Sequence, residues 1–289
     1  MRWLVFGSNG QLGQDLLEIL PIAGHEVIGM DLPQVDITET ASVVAALVSH
    51  MPDVVVNAAA FTAVDDAETN ESLALRVNGV GPGVIAEALI GMPGVRFVQV
   101  STDYVFDGSA RSPYQEETPT CASSAYGRTK AVGEEEVLRK LPQNGYVVRT
   151  AWLYSAHGSN FVKTMLRLAR ERDTVDVVAD QYGQPTWSRD LAAQIEALVC
   201  SGAPAGVFHG TSSGATTWYE FARQIFQLAG YDPQRVHPTT TDRFPRPAPR
   251  PAYSVLGHAK WESVGIPPIR DWEYALADAL PLILASEQA

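Results

Sequence analysis

The stretch RWLVFGSNGQLGQDLLEIL, residues 2–20, decides the fold of this 289-residue chain. Its first five residues predict a short buried strand, and the glycine-rich turn 7–13 leads into the apolar-periodic residues of a helix. A strand, a glycine turn and a helix in this order are the context in which a GxxGxxG spacing indicates nucleotide binding. Such a turn lets the backbone approach a pyrophosphate, whose charge meets the helix N-terminus. We therefore expect Gly7, Gly10 and Gly13 to shape a dinucleotide site.

A carboxylate follows the second predicted strand, residues 26–30. Asp31 stands where a carboxylate accepts hydrogen bonds from the adenosine ribose hydroxyls of a dinucleotide. A negative charge there repels a 2′-phosphate, so it favours NADH over NADPH while leaving either cofactor open. Asp36 either contacts the adenine or caps the next helix, in competition with Thr38.

The first half of the chain alternates between strand and helix patterns. Strands are predicted at 2–6, 26–30, 54–56, 95–100 and 146–148, with helices at 10–20, 39–50, 71–91 and 123–140. Such alternation predicts an α/β fold with a Rossmann-like, doubly wound parallel sheet. Ligands of these sheets bind at the carboxyl ends of the strands. Residues 1–150 are therefore predicted to form an NAD(P)-binding domain.

The second half is less regular. Helices are predicted at 160–172, 189–200 and 217–229, with a strand at 175–178. Residues 232–251 are rich in proline, which removes N–H donors and fixes φ, so they predict a surface loop and no regular element. We expect residues 151–289 to form mainly a smaller C-terminal substrate-binding lobe, with some elements returning to the sheet.

Composition excludes several classes of function. The net charge of −12 argues against a nucleic-acid partner, because phosphate binding needs clustered Lys and Arg. No run of 18 apolar residues predicts a membrane span, and the chain starts with a strand and no signal peptide. Cys121 and Cys200 provide neither a disulfide framework nor a metal pattern, which is typical of a reducing cytoplasm. The histidines lack metal-ligand spacing, so no metal is expected.

Two residues four apart, Tyr126 and Lys130, indicate the chemistry. In a helix they share a face, and an ammonium held beside a phenol is expected to lower the phenol's pKa from about 10. The phenol then becomes a usable proton donor or acceptor. The hydroxyl of Thr102, in Ser101-Thr102-Asp103-Tyr104, could hold the oxygen being protonated. This set suits carbonyl reduction, provided that a dinucleotide supplies a hydride.

With these features in one order, the chain resembles the extended short-chain dehydrogenase/reductases, and among them the dTDP-4-dehydrorhamnose reductase family. The matching stretches run nearly end to end, at 7–13, 57–65, 101–108, 126–130, 149–154, 160–162 and 250–256. The string STDYVFDG, residues 101–108, is far more specific than the glycine turn. The resemblance implies reduction of the C4 keto group of dTDP-4-dehydro-β-L-rhamnose by NADPH or NADH, giving dTDP-β-L-rhamnose.

The resemblance also implies roles for individual residues. Tyr126 would protonate the C4 oxygen, and Lys130 would bind the nicotinamide ribose and tune Tyr126. The other implied contacts are with the pyrophosphate (Gly10, Gln11, Leu12), the adenosine half (Asp31, Asp36, Ile37), the cofactor groove (Ala60, Phe61, Thr62) and the sugar (Thr102, Asp103, Trp152). Some relatives dimerise through magnesium. Asp15 and Asp190 fall near such positions without a full ligand set, so a homodimer is open and no metal is assigned.

Other interpretations remain at this stage. Asp103 fits a turn cap as well as a sugar contact, and Trp152 alone would suit a core. The enzyme could reduce another dTDP-4-keto-6-deoxysugar, with residues 150–190 and 232–256 deciding which hydroxyl stereochemistry fits. A non-catalytic NAD(P)-binding regulatory subunit, like that of methionine adenosyltransferase, is a further alternative. The intact set of Thr102, Tyr126 and Lys130 favours an enzyme.

Overall fold

Residues 1–287 are described by a computed structural model, whose centre is a parallel sheet. The sheet has the strand order β2-β1-β3-β4-β5-β10, and the remaining strands form short pairs around it. The strands are β1 (Arg2–Phe6), β2 (Glu26–Met30), β3 (Val54–Asn57), β4 (Arg96–Thr102), β5 (Gly145–Thr150), β6 (Leu153–Tyr154), β7 (Val175–Val178), β8 (Tyr182–Gly183), β9 (Thr186–Trp187), β10 (Gly206–His209), β11 (Thr216–Thr217) and β12 (Val236–Thr239).

The helices are α1 (Gln11–Ile22), α2 (Thr40–His50), α3 (Val64–Thr69), α4 (Glu71–Leu75), α5 (Gly81–Ile90), α6 (Ala125–Lys140), α7 (Phe161–Glu171), α8 (Ser188–Ser201), α9 (Trp218–Leu228), α10 (Ala259–Ser263) and α11 (Trp272–Ser286). The helix predicted over 71–91 contains a π-helical turn, Arg76–Val80. By length and composition the run Glu71–Ile90 could cross a membrane, and half of its most apolar stretch is buried inside the protein.

Side-chain alternation along the strands divides the helices between the two faces of the sheet. Trp3 and Val5 of β1 belong to an apolar cluster with α1 and α8. Leu4 and Phe6 belong to a second cluster with residues of α2, α5 and α6. Both faces are therefore covered, which confirms the predicted Rossmann-like, doubly wound sheet.

Elements after residue 150 contribute both to the sheet and to a separate cluster. Strand β10 and helix α8 return to the sheet, whereas α7, α9 and α11 pack together with β7 and β12. The prediction of a loop throughout 232–251 was wrong, because β12 pairs in parallel with β7. Pro238 is tolerated because this two-stranded pair has free edges, where a missing N–H costs little. The domain boundary at residue 150 stays a prediction, and residues 288–289 lie outside the described part of the chain.

Candidate active site

A cleft of about 690 Å³ opens at the carboxyl ends of the central strands. It lies where the strand order reverses between β1 and β3, the usual ligand position of such sheets. Fifteen predicted site residues line it: Gly7, Gly10, Gln11, Leu12, Gly13, Asp31, Asp36, Ile37, Ala60, Thr62, Thr102, Asp103, Tyr126, Lys130 and Trp152.

Phe61 is the predicted site residue that does not line the cleft. Its ring packs against an alanine cluster formed by Ala67, Ala74 and Ala125. Its main chain is held by Asn78, which accepts the Phe61 N–H at 2.8 Å and donates to the Phe61 carbonyl at 3.1 Å. Phe61 therefore shapes the groove wall from behind, and sequence analysis missed Asn78 because nothing in the π-helical turn marks it.

The glycine turn brings two loops and a helix into close contact. Gly7 has a φ of +79°, and a Cβ there would meet the Ala59 nitrogen at 2.4 Å. A Cβ on Gly13 would meet the Gly7 carbonyl oxygen at 2.2 Å. Helix α1 begins after Gly10 without a side-chain cap, so its first N–H groups are left for an anion. These features fit the pyrophosphate of a dinucleotide.

Two acidic residues of the cleft, Asp31 and Asp36, are held by nearby hydrogen-bond donors. Asp31 accepts the N–H groups of Asn9 at 2.9 Å and Leu32 at 2.8 Å, which fixes its carboxylate beside the glycine turn. Asp36 accepts the Thr38 hydroxyl at 2.7 Å and the Thr38 N–H at 2.9 Å, and these bonds lower the pKa of Asp36. Asp36 therefore lines the cleft and closes a turn onto Thr38. The alternative that Asp36 or Thr38 caps the next helix was wrong, because α2 begins after Glu39 with no side-chain cap.

The Thr, Tyr and Lys side chains come from two neighbouring elements. Thr102 ends β4, while Tyr126 and Lys130 occupy successive turns of α6, whose N-cap is Ser124. All three line the cleft, and Lys130 is only 4% exposed. The Lys130 ammonium donates to the Val100 carbonyl at 2.6 Å, which ties α6 to β4. The structure therefore places the two helical residues on one face, as their spacing predicted.

The expected lowering of the Tyr126 pKa by Lys130 was wrong. Burial raises the pKa of Tyr126 to about 12, against a hydrogen bond with Thr102 that lowers it. Burial also lowers the pKa of Lys130 to about 8, while the Glu134 carboxylate acts in the opposite direction. The i, i+4 spacing did not show that both groups are desolvated, and desolvation disfavours the charged form of each. Tyr126 is consequently a neutral phenol at physiological pH.

Asp103 is a buried carboxyl at the cleft wall. It is 2% exposed, accepts the Thr102 hydroxyl at 3.0 Å through Oδ1, and has no hydrogen-bond partner for Oδ2 within residues 1–287. Burial raises its pKa to about 6, opposed in part by the hydroxyls of Ser254 and Thr102. A desolvated acceptor with a free oxygen is suited to a ligand hydroxyl.

Trp152 occupies a strained position next to a second tryptophan. Its φ of +45° is in the left-handed region, which a bulky residue rarely adopts. Its indole stacks on Trp218 at 3.6 Å between ring centroids, and a Cβ at Gly183 would come within 2.4 Å of it. Trp218 also lines the cleft. Sequence analysis missed Trp218 because it begins a helix, α9, that is distant in the chain.

Two side-chain groups in residues 1–287 have the composition of a metal site: His25 with Glu196 and Cys200, and Asp15 with Glu18 and His157. Neighbouring protein donors already engage both. The N-terminal ammonium lies 3.4 Å from His25 Nδ1, and Asp15 accepts the hydroxyls of Ser155 and Ser188. Asp190 pairs with Arg270 at 2.8 Å. The absence of a resident metal stays a prediction.

The fold and the site define a class, the short-chain dehydrogenase/reductases of the extended type. The family model described as "RmlD substrate binding domain" matches residues 1–284, and the chain belongs to this family.

Known relatives match over nearly the full length. A dTDP-4-keto-6-deoxy-D-glucose reductase of Streptomyces niveus is 51% identical, with 99% of each chain covered. A dTDP-4-dehydrorhamnose reductase of Streptomyces griseus is 48% identical, covering 98% of this chain and 94% of the relative. The crystal structure of the Bacillus anthracis dTDP-4-dehydrorhamnose reductase in complex with NADP is 35% identical, with 97% and 98% of the two chains covered and a TM-score of 0.92. The predicted family resemblance is confirmed.

Proposed function

We propose that this chain reduces the C4 keto group of a dTDP-4-keto-6-deoxysugar, with NADPH or NADH as the hydride donor. The observation that carries the proposal is the meeting of Thr102, Tyr126 and Lys130 in the cleft that the glycine turn opens. The names of relatives at 48% and 51% identity support a nucleotide-sugar reductase over a non-catalytic regulatory subunit.

The residues around the cleft fit a nicotinamide dinucleotide. The uncapped N-terminus of α1 would hold the pyrophosphate, and Asp31 would accept hydrogen bonds from the adenosine ribose. Lys130 is the basic residue that lines the cleft within the described part of the chain, and it would bind the nicotinamide ribose. When bound, the cofactor supplies a hydride to the sugar C4. The complex of the Bacillus anthracis relative with NADP supports this assignment.

Reduction of a ketone also requires a proton at the carbonyl oxygen. Tyr126, neutral because burial raises its pKa to about 12, is in the protonated form that this step needs. Thr102, hydrogen-bonded to Tyr126, would hold the same oxygen, and Asp103 Oδ2 would accept a sugar hydroxyl. Trp152 on its Trp218 support would contact an apolar face of the sugar.

For the natural substrate we favour dTDP-4-dehydro-β-L-rhamnose, which gives dTDP-β-L-rhamnose. The 51% identity to a dTDP-4-keto-6-deoxy-D-glucose reductase makes that keto-sugar the second candidate. Purified protein should be tested with both keto-sugar nucleotides and each cofactor, following loss of nicotinamide absorbance. Turnover with neither sugar would reject the proposal, and the higher kcat/KM decides between them. A cytoplasmic location and a homodimer remain predictions.

Substitution of Tyr126 by phenylalanine tests the proton donor. Removing the hydroxyl should lower kcat at least about 100-fold, because the developing alkoxide loses its acid, while cofactor still binds. Tyr114→Phe is a matched control, since the Tyr114 hydroxyl bonds to Asp107 and its ring stacks on Phe106. Near-normal turnover in Tyr126→Phe would remove this residue from the mechanism.

A further inference from the structure

A buried carboxylate joins the two elements that carry the proposed catalytic residues to the strand that precedes Trp152. Glu134, one turn after Lys130 on α6, is 3% exposed. It accepts a hydrogen bond from the Ser101 hydroxyl on β4. It also forms a bidentate ion pair with Arg149 on β5, in which the shortest nitrogen–oxygen distance is 2.7 Å. Ser101 directly precedes Thr102, and Arg149 is three residues before Trp152. One side chain thus links the strand of Thr102, the helix of Tyr126 and the strand that leads to Trp152.

Glu134 also influences the protonation of a neighbouring cation. Lys130 and Arg149 are two buried cations: Glu134 pairs directly with Arg149, and it lies one helical turn after Lys130 on the same buried face of α6. The ammonium of Lys130 hydrogen-bonds to the neutral Val100 carbonyl and forms no salt bridge within residues 1–287. Glu134, buried four residues further along α6, is the carboxylate whose charge favours protonated Lys130. Arg149 also lies 3.4 Å from the Glu116 carbonyl and from His209 Nε2, and burial keeps His209 neutral by lowering its pKa to about 3. Tyr126 and Asp103 line the same cleft as Lys130.

We propose that Glu134 is a positioning residue of the reductase: it keeps Lys130 protonated and holds the ends of β4 and β5 in register with α6. It does not contact the reacting atoms and acts through Lys130 and Ser101. An ordinary structural ion pair would affect stability alone, whereas a counter-charge for Lys130 must also set the pH range of turnover. The proposal rests on the catalytic set proposed above.

The pH profile of kcat tests the proposal. In Glu134→Gln, Lys130 loses its counter-charge, so the alkaline limb of kcat should move down by roughly one to three pH units. At pH 7 kcat should fall about tenfold or more, with little change in KM for the sugar nucleotide. Glu134→Asp, which keeps the charge, should restore the alkaline limb. Glu136→Gln is the control, because this neighbour on α6 pairs with Arg139 and Lys140 near the surface.

Loss of Glu134 leaves Arg149 unpaired, which could prevent folding. Glu134→Gln combined with Arg149→Met removes the ion pair as a unit. Because this double variant also loses a cation that opposes protonation of Lys130, its alkaline limb should lie between that of Glu134→Gln and that of the wild type. A wild-type pH profile and kcat in a folded Glu134→Gln variant would overturn the proposal, as would a Glu134→Gln profile that the loss of Arg149 does not move. If Tyr126→Phe is active, the catalytic set itself fails. If Tyr126→Phe is inactive and the Glu134 variants are unshifted, only the role of Glu134 fails.

Discussion

Replacing Lys130 by methionine should abolish turnover and yet stabilise the fold at neutral pH. Lys130 is 4% exposed, and its pKa is about 8 against an ordinary 10.5. At about 1.4 kcal/mol per pH unit, the difference corresponds to about 3 kcal/mol of folding free energy that is lost by keeping the ammonium charged. Methionine is apolar and of similar length. It forfeits the hydrogen bond to Val100, worth roughly 1–2 kcal/mol, so the net gain should be about 1–2 kcal/mol.

The dependence on pH separates this desolvation effect from any constant change in packing. Below pH 8 the lysine is protonated in both the folded and the unfolded wild type, and the advantage of the variant is constant. Between pH 8 and 10.5 the unfolded chain binds more protons than the folded one, so the wild type gains stability as the pH rises. The advantage of Lys130→Met should therefore shrink by about 1.4 kcal/mol per pH unit above pH 8.

Urea unfolding at pH 7.0, 8.5 and 9.5, followed by tryptophan fluorescence, gives the required free energies. Lys140→Met is a control for the loss of a lysine from α6, since Lys140 pairs with Glu87 and Glu136 near the surface. A difference between Lys130→Met and the wild type that does not vary with pH would refute the claim that Lys130 is charged and desolvated in the folded protein.

Two further substitutions test cofactor choice and sugar binding. Asp31→Asn removes the negative charge beside the ribose site, so the ratio of kcat/KM with NADPH to that with NADH should rise by about tenfold. An unchanged ratio would mean that Asp31 does not face the ribose. Trp218→Ala removes the ring on which Trp152 stacks and should lower kcat/KM for the sugar nucleotide by roughly tenfold, with the KM for cofactor unchanged. Equal losses for both ligands would indicate general damage to the cleft.

The sequence predicted those parts of the fold and site that depend on local patterns. The glycine turn, the apolar periodicity and the Tyr126–Lys130 spacing placed the main strands and the catalytic face within a few residues of their positions. Strand β10 was missed because it is four residues long and pairs with β5 only after two intervening helices, α7 and α8. Trp218 and Glu134 were missed for a related reason, since their partners come from distant elements.

The pKa of Tyr126 shows a different limit of sequence analysis. The spacing placed both residues in the same cleft, but the direction of a pKa shift depends on burial, which an i, i+4 relation does not contain. Burial of Tyr126 and Lys130 raises one pKa and lowers the other, so the charged form of each is disfavoured before reaction.

These opposed shifts suit a reductase. In the proposed reaction the Tyr126 proton would pass to the sugar oxygen, and the phenolate that remains would share the cleft with the Lys130 ammonium. Attraction between these two charges would arise only after the proton has begun to move, so it would stabilise the transition state more than the resting site. The stability lost by burying a charged Lys130 is therefore coupled to catalysis. Methionine at position 130 should recover that stability and lose the rate, and a variant that gained both would show that the charge has no part in proton transfer.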